Sequence, residues 1–413
     1  MPPESARRVA LAALAEWRRG QRFADVILQE RLAGNSLGGS DRGFALELFY
    51  GILRNLSLLD FWIAQLRPDS LDPDSQDLLR LGFYQVFILR TPTHAAVFET
   101  VALAGGKNRG LINGILRSAL RRFDELEANA AKQPSAIRFS HPPFLVERWT
   151  EQFGAEAALA LCAWNNQPAP LYARVNRLRN SVTDFSARHP EAEGLPEREN
   201  FLRLATLPNE SVARGQCYLQ DPSTAIACEL LAPQPGESVL DACAAPGGKS
   251  GFLAELMQNR GTLSACDRDP GRAATLRQNL ENLGATCARA VVQDWRTGTE
   301  LPRNSFDRIL VDAPCSNTGV MRRRVDVRWR LRAEDFVRMP NEQLSILRTV
   351  IPLLKSGGVL VYSTCSLERE ENEAVVGALL ETAPFLKLTA QKSVLPFRDQ
   401  FDGAFAARLE RVP

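Results

Sequence analysis

Apolar and polar positions follow different rhythms in successive stretches of this chain. Up to about residue 125, alanine and leucine recur at helical spacing, most plainly in residues 6–17, 41–59 and 111–122, and strand-like alternation is hard to find. Breakers at 34–39, 68–74 and Thr91-Pro92-Thr93 separate these segments, so a small helical bundle is expected. From about 126 to 235, prolines from Pro134 to Pro222 punctuate short elements, with candidate strands at 172–175, 201–204 and 216–219, which predicts a small α+β connector. Beyond 236 the rhythm becomes regular. Strands are expected at 238–242, 262–267, 289–293, 306–311 and 358–363, with helices starting at Lys249, over 270–283, within 333–354 and over 368–380. Strands alternating with helices imply an α/β domain with a doubly wound, mainly parallel, Rossmann-like sheet, whose ligands bind at the carboxyl ends of the strands. The expected division is therefore 1–125, 126–235 and 236–413.

Composition adds exclusions. A chain of 413 residues exceeds what one core usually serves, and 45% hydrophobic with 24% charged residues is ordinary globular usage. No apolar run reaches the ~20 residues of a membrane helix, and the N-terminus lacks a secretory pattern, so a cytoplasmic protein without membrane association is expected. The eight cysteines include no CxxC pair, which argues against a zinc site or a disulfide framework, and no metal is expected. Net charge is only +2, so contact with nucleic acid must come from local clusters. The densest cluster, MRRRVDVRWRLR at 321–332, has six arginines in twelve residues; it reads either as an RNA-binding patch or as the general preference of a chain with many arginines.

Chemistry concentrates at the predicted strand ends. Val239-Leu240-Asp241-Ala242-Cys243-Ala244-Ala245-Pro246-Gly247-Gly248-Lys249 passes from a buried strand through a small-residue turn into a helix, and small residues let backbone approach a ligand closely. Asp267 closes the next strand about twenty residues on, where an acid can take a ribose hydroxyl pair, and Asp294 closes the third; either acid would otherwise read as a turn or helix cap. The GxGxxG spacing of a dinucleotide site is absent, which weighs against a nicotinamide oxidoreductase. Lys249 suits the carboxylate of a methionine-like cofactor or a substrate phosphate. Cys315, in Asp312-Ala313-Pro314-Cys315-Ser316, and Cys365, in Tyr362-Ser363-Thr364-Cys365-Ser366, both leave buried strands for the same rim. Cys162, Cys217, Cys228, Cys266 and Cys287 read as small buried hydrophobes.

At these residues the chain resembles the RNA cytosine-5 methyltransferases of the Fmu/Sun/NOL type. The resembling blocks are DACAAPGGKS (241–250), Asp267, Asp294, DAPCSNTGVMRR (312–323), YSTCSLEREENE (362–373) and DGAFAARLERV (402–412). DRGFALELFYGILRN (41–55), THAAVFETVALA (93–104) and GLINGILR (110–117) resemble a helical NusB-like RNA-binding domain, an arrangement found in bacterial enzymes acting on small-subunit ribosomal RNA. The resemblance implies S-adenosylmethionine bound by Cys243, Ala244, Ala245, Pro246, Gly247, Gly248, Lys249, Asp267, Asp294 and Asp312. It makes Cys365 the nucleophile, Cys315 the releasing group and Asp312 a group at the base. Pyrimidine C5 is a poor nucleophile until a thiolate adds at C6, and nearby cations, here Arg322–Arg324, would help to ionise that thiol. RNA contacts are expected from Arg174, Asn176, Arg322 and Arg323, on a chain taken as a monomer. A histidine-proline pair common after the double arginine in relatives is replaced by Arg324-Val325-Asp326. Transfer RNA or another ribosomal site is the rival substrate, and a non-catalytic assembly factor is the rival function, but both cysteines and the cofactor acid are retained.

Overall fold

A computed structural model describes residues 5–20, 22–196 and 198–412. The chain divides into two compact units, one built from residues up to Gln167 with Met321–Arg330, the other from Pro168–Val320 and Leu331 onward. These boundaries differ from the expected three segments: the helices at 126–167 belong to the first unit and the connector's strands to the second.

The first unit is helical throughout. The expected helix over 41–59 is two, Gly39–Arg54 and Leu56–Leu66, broken at Asn55. Its core includes Trp62, Phe83 and Phe87, and Phe123 stacks on Phe87 at 4.2 Å. Helices Pro143–Phe153 and Ala155–Asn165, read from sequence as part of a mixed connector, complete it.

Into this unit packs the arginine-rich segment Met321–Arg330. Val325 joins the core, and the Asp326 carboxylate accepts the Ala24 amide (2.9 Å) at the first turn of helix Ala24–Ala33, where a negative charge complements the positive end of the helix dipole. Arg328 is fully buried and donates to the Ser140 carbonyl (3.2 Å), the Asn165 carbonyl (3.0 Å) and Asn166 Oδ1 (2.7 Å); burial lowers its pKa to about 9. Arg322, 2% exposed, lies 3.8 Å over the Trp164 ring. Much of the cluster is thus internal structure: Arg322 is not the exposed RNA contact that the sequence suggested. Arg323 is half-buried.

The second unit holds two sheets. β1 (Leu171–Val175), β2 (Glu193–Leu195), β3 (Arg198–Leu204) and β4 (Cys217–Leu219) form an antiparallel sheet in the order β2-β3-β1-β4. β5 (Ser238–Asp241), β6 (Thr262–Asp267), β7 (Ala288–Val292), β8 (Phe306–Asp312), β9 (Leu354–Thr364), β10 (Leu386–Val394) and β11 (Ala404–Arg411) form the main sheet, ordered β10-β11-β9-β8-β5-β6-β7. From β9 to β7 the pairing is parallel, and β11 and β10 add antiparallel to β9. The central parallel strands β5, β8 and β9 are buried on both faces, as Leu240, Ile309, Leu310 and Leu360 illustrate at 0% exposure, whereas β7 at the edge is not. No helix among the described residues is long and apolar enough to cross a membrane.

Candidate active site at the carboxyl edge of the sheet

Adjacent parallel strands bring their following loops together, and β5, β8 and β9 are neighbours. The turn after β5 enters helix Gly248–Leu256, with Gly247 at φ +110°, a conformation that side-chain-bearing residues rarely adopt. A Cβ at Gly248 would come within 2.6 Å of the Tyr218 ring. This turn lines a cleft of about 140 Å³ with Tyr218, Gln220, Asp241, Lys249 and Asp312. Asp241 accepts from Ser250 Oγ (2.6 Å), while its buried Oδ1 has no hydrogen-bond partner. Burial, only partly opposed by the Ser250 hydrogen bond, raises the Asp241 pKa to about 7. An unmatched acceptor in a cleft with a small-residue wall fits a ligand that carries an ammonium group.

Asp267 and Asp294 stand at the ends of β6 and β7. Asp267 is 4% exposed, accepts the Asp269 amide (3.0 Å) and pairs with Arg272 at 3.3 Å. Asp294 caps the short turn Trp295–Thr297, and its hydrogen bonds to Arg296 hold its pKa down at about 2. Neither acid lines the 140 Å³ cleft, although the Asp267 charge helps raise the pKa of Cys243, after burial and the charges of Asp241 and Asp312. Cys243 therefore stays a thiol and packs the turn.

Beside this cleft Lys249 and Asp312 pair at 2.7 Å, and Asp312 Oδ1 accepts from Ser363 Oγ at 2.8 Å. Burial would lower the lysine pKa, but the Asp312 charge and hydrogen bond outweigh it and the net shift is upward. Both residues also line a second cleft of about 40 Å³ with Cys365, Asp221 and Asp402. The Cys315 and Cys365 sulfurs are 3.3 Å apart, and Cys365 Sγ donates to Asn317 Oδ1 at 3.2 Å. The two differ in setting. Cys315 is 6% exposed, and its hydrogen bond with Cys365, followed by burial, raises its pKa well above the ordinary thiol value. Cys365 is half-buried and lines the cleft. Lys249 is a cation near Cys365: the Cys365 charge is among the causes that raise the lysine pKa.

A buried network fastens the two cysteine loops. Glu371, 0% exposed, accepts the Ser316 amide (2.8 Å), Ser316 Oγ, Ser366 Oγ (2.7 Å) and Gln343 Nε2 (2.9 Å). Gly319 donates to the Cys365 carbonyl at 2.9 Å and accepts from the Gly403 amide at 2.8 Å, so close that a Cβ there would sit 2.7 Å from both segments. Sequence reasoning missed Asp241, Asn317, Gln343 and Glu371. Three of them, Asp241, Asn317 and Glu371, lie inside quoted motifs, but nothing in their spacing marked them as inward-facing.

Arg174 and Asn176 correct another expectation. Both are fully buried on or just after β1: Arg174 pairs with Glu255, donates to the Gly248 carbonyl (3.3 Å) and lies over Phe252, while Asn176 donates to the Gly215 and Leu283 carbonyls, each at 2.7 Å. Arg174 ties the smaller sheet to the cofactor-loop helix and Asn176 ties it to the end of helix Pro270–Leu283, and at 0% exposure neither reaches RNA.

Sheet, glycine turn and carboxyl-edge cleft define a class I S-adenosylmethionine-dependent methyltransferase. The family profiles agree: residues 228–410 match "16S rRNA methyltransferase RsmB/F", residues 4–121 the NusB family and residues 141–196 an RsmF/B-like ferredoxin-like domain. A probable ribosomal RNA small subunit methyltransferase B of Bacillus subtilis is 35% identical over 93% of this chain and 90% of its own. The Proteus mirabilis enzyme of that name is 36% identical over 91% and 92%. A solved methyltransferase homologue from Pyrococcus horikoshii is 27% identical with a TM-score of 0.59, covering 67% of this chain and 98% of its own. The chain belongs to the ribosomal RNA small subunit methyltransferase B family.

One consequence for stability follows from Asp241. A carboxyl group whose folded pKa is raised contributes most at low pH, and that contribution is lost as pH rises from the unfolded value near 4 through about 7. Asp241→Asn keeps an acceptor for Ser250 and removes the titration. In paired denaturation curves the variant should gain on wild type by about 1.4 kcal/mol per pH unit across that window, levelling off above it. A constant difference would show that Asp241 does not titrate there.

Proposed function

We propose that the protein methylates C5 of a cytosine in small-subunit ribosomal RNA, with Cys365 as covalent nucleophile and Cys315 as the releasing group. The observation that carries this reading is the pair of sulfurs 3.3 Å apart, the accessible one beside the Lys249–Asp312 pair. The substrate follows from relatives named for ribosomal RNA and from the NusB match.

S-adenosylmethionine supplies an electrophilic methyl group, and the turn 243–249 with Asp241 would hold it. The protein's own residues do the rest. Cys365, as thiolate, adds to C6 and turns C5 into a carbon nucleophile, while Asp312, fixed by its pair with Lys249, would accept a hydrogen bond from N3 once that nitrogen is protonated. Once Cys365 is bonded to carbon, its hydrogen bond and charge no longer raise the Cys315 pKa, while burial and the Glu371 charge still do. The second sulfur thus becomes easier to ionise at the step that needs a base to take the C5 proton and expel Cys365. The target base must leave its stack to enter the cleft.

Incubating the protein with labelled methyl donor and unmodified small-subunit ribosomal RNA, followed by bisulfite mapping, should give 5-methylcytosine at one position. Methyl transfer only to transfer RNA would overturn the substrate, and label at any atom other than C5 would overturn the chemistry.

A further inference from the structure

The second unit carries another cavity, of about 550 Å³, on the side of the small sheet and β10. That lies within the range of ligand sites, roughly 300–1,000 Å³. Among the described residues its lining is not neutral: Arg198, Lys392 and Arg398 face one carboxylate, Asp399. The two arginines are held in place, Arg198 by Glu229 and Arg398 by Asp399 and the Ser393 carbonyl. Lys392 is exposed. Leu195, Ile226 and Val394 supply apolar surface, and the half-buried Phe401 ring, edge-on to Tyr172 at 5.8 Å, lines the same space.

The cavity adjoins the cysteine cleft. Ser223 and Ile226 line both, and the chain runs from Phe401 in one directly into Asp402 and Gly403 in the other. Cations beside an apolar and aromatic wall match the two parts of a nucleotide, phosphate and base face. An acidic peptide would use the cations but not the ring.

We propose that this cavity seats an unpaired nucleotide next to the target base, its phosphate at Lys392 and Arg398 and its base against Phe401. The inference rests on the function proposed above and names a substrate subsite for it. A base drawn out of a stack displaces its neighbours, and a seat one wall away from Cys365 would hold one of them.

Two measurements on the full chain test it. Binding of a short single-stranded RNA, followed by fluorescence anisotropy, should weaken roughly tenfold in Lys392→Glu and in Phe401→Leu, remain near wild type in Lys392→Arg, and lose about 0.7 from its log-log salt slope in Lys392→Glu. In methylation of unmodified small-subunit ribosomal RNA, KM should rise by a similar factor with kcat within about twofold. Cofactor affinity should be unchanged, which excludes a folding defect. Wild-type binding and KM in both Lys392→Glu and Phe401→Leu overturn the subsite, as does a fall in kcat at constant KM. Weakened oligonucleotide binding in the variants of a wild type that fails to methylate ribosomal RNA supports the subsite and removes the substrate assignment instead.

Discussion

Cys365→Ala is expected to reduce methyl transfer by roughly 10⁴-fold or more, the scale of losing a covalent nucleophile, while Cys315→Ala should accumulate a protein–RNA adduct that survives denaturing electrophoresis. The asymmetry comes from the settings of the two sulfurs. Cys365 lines the cleft with Lys249 and Asp312, so a base there can meet it. Cys315 is buried and held protonated by its neighbour, which unfits it as first attacker and leaves it placed to act second. Without it, addition and methyl transfer proceed but the C5 proton has no acceptor, so the carbon–sulfur bond persists. The adduct should migrate as a band sensitive to ribonuclease and should need both RNA and methyl donor. Methylation by Cys365→Ala at the wild-type rate would remove the nucleophile assignment; exchange of the two phenotypes would reverse the roles.

The catalytic half of this molecule was legible because its physics is local. Parallel strands buried on both faces read as apolar runs, and the loops after β5, β8 and β9 carry glycine, proline and cysteine motifs where such a sheet must place ligands. What stayed hidden depended on distant partners. β10 and β11 were not foreseen: β10 is an edge strand with many exposed positions, and the alternation of β11 is blurred because Phe405, Ala406 and Ala407 are buried in succession. Arginine at 174, 322 and 328 suggested a surface, yet each spends its charge inside, against Glu255, the Trp164 ring and backbone carbonyls. No periodicity reveals that a segment 150 residues beyond the helical bundle returns to cap its helix at Ala24. Glu371 lay in a run of acids that reads as a solvated helix start, and only the fold turns it inward.

Glu371 carries the second large expectation. Its carboxyl group gathers donors from Ser316, on the Cys315 loop, from Ser366, on the Cys365 loop, and from Gln343 of helix Asp335–Val350. Its own backbone carbonyl accepts from Tyr362 Oη at 2.6 Å. Glu371→Ala leaves the buried Ser316 amide and one N–H of Gln343 without an acceptor, each such loss costing about 1–3 kcal/mol before relaxation, while Gln343 keeps the Pro314 carbonyl (3.0 Å) and the Ser316 and Ser366 hydroxyls keep each other (3.0 Å). A net destabilisation of about 3 kcal/mol is expected in urea unfolding of the catalytic unit. The effect on catalysis should exceed the effect on folding, because separation of the sulfurs by about 1 Å is enough to lose a factor of roughly 10² in rate. Glu371→Gln keeps one oxygen for the Ser316 amide but turns an NH₂ toward donors, so it should recover part of the stability and little of the rate. The readout that separates positioning from simple unfolding is trapping: in the Cys315→Ala background, Glu371→Gln should slow adduct formation at a temperature where circular dichroism shows the chain folded. Adduct formation at the unperturbed rate would show that the two loops keep their register without this carboxyl group, and that Gly319, wedged against Cys365 and Gly403, is sufficient to hold the cysteines in place.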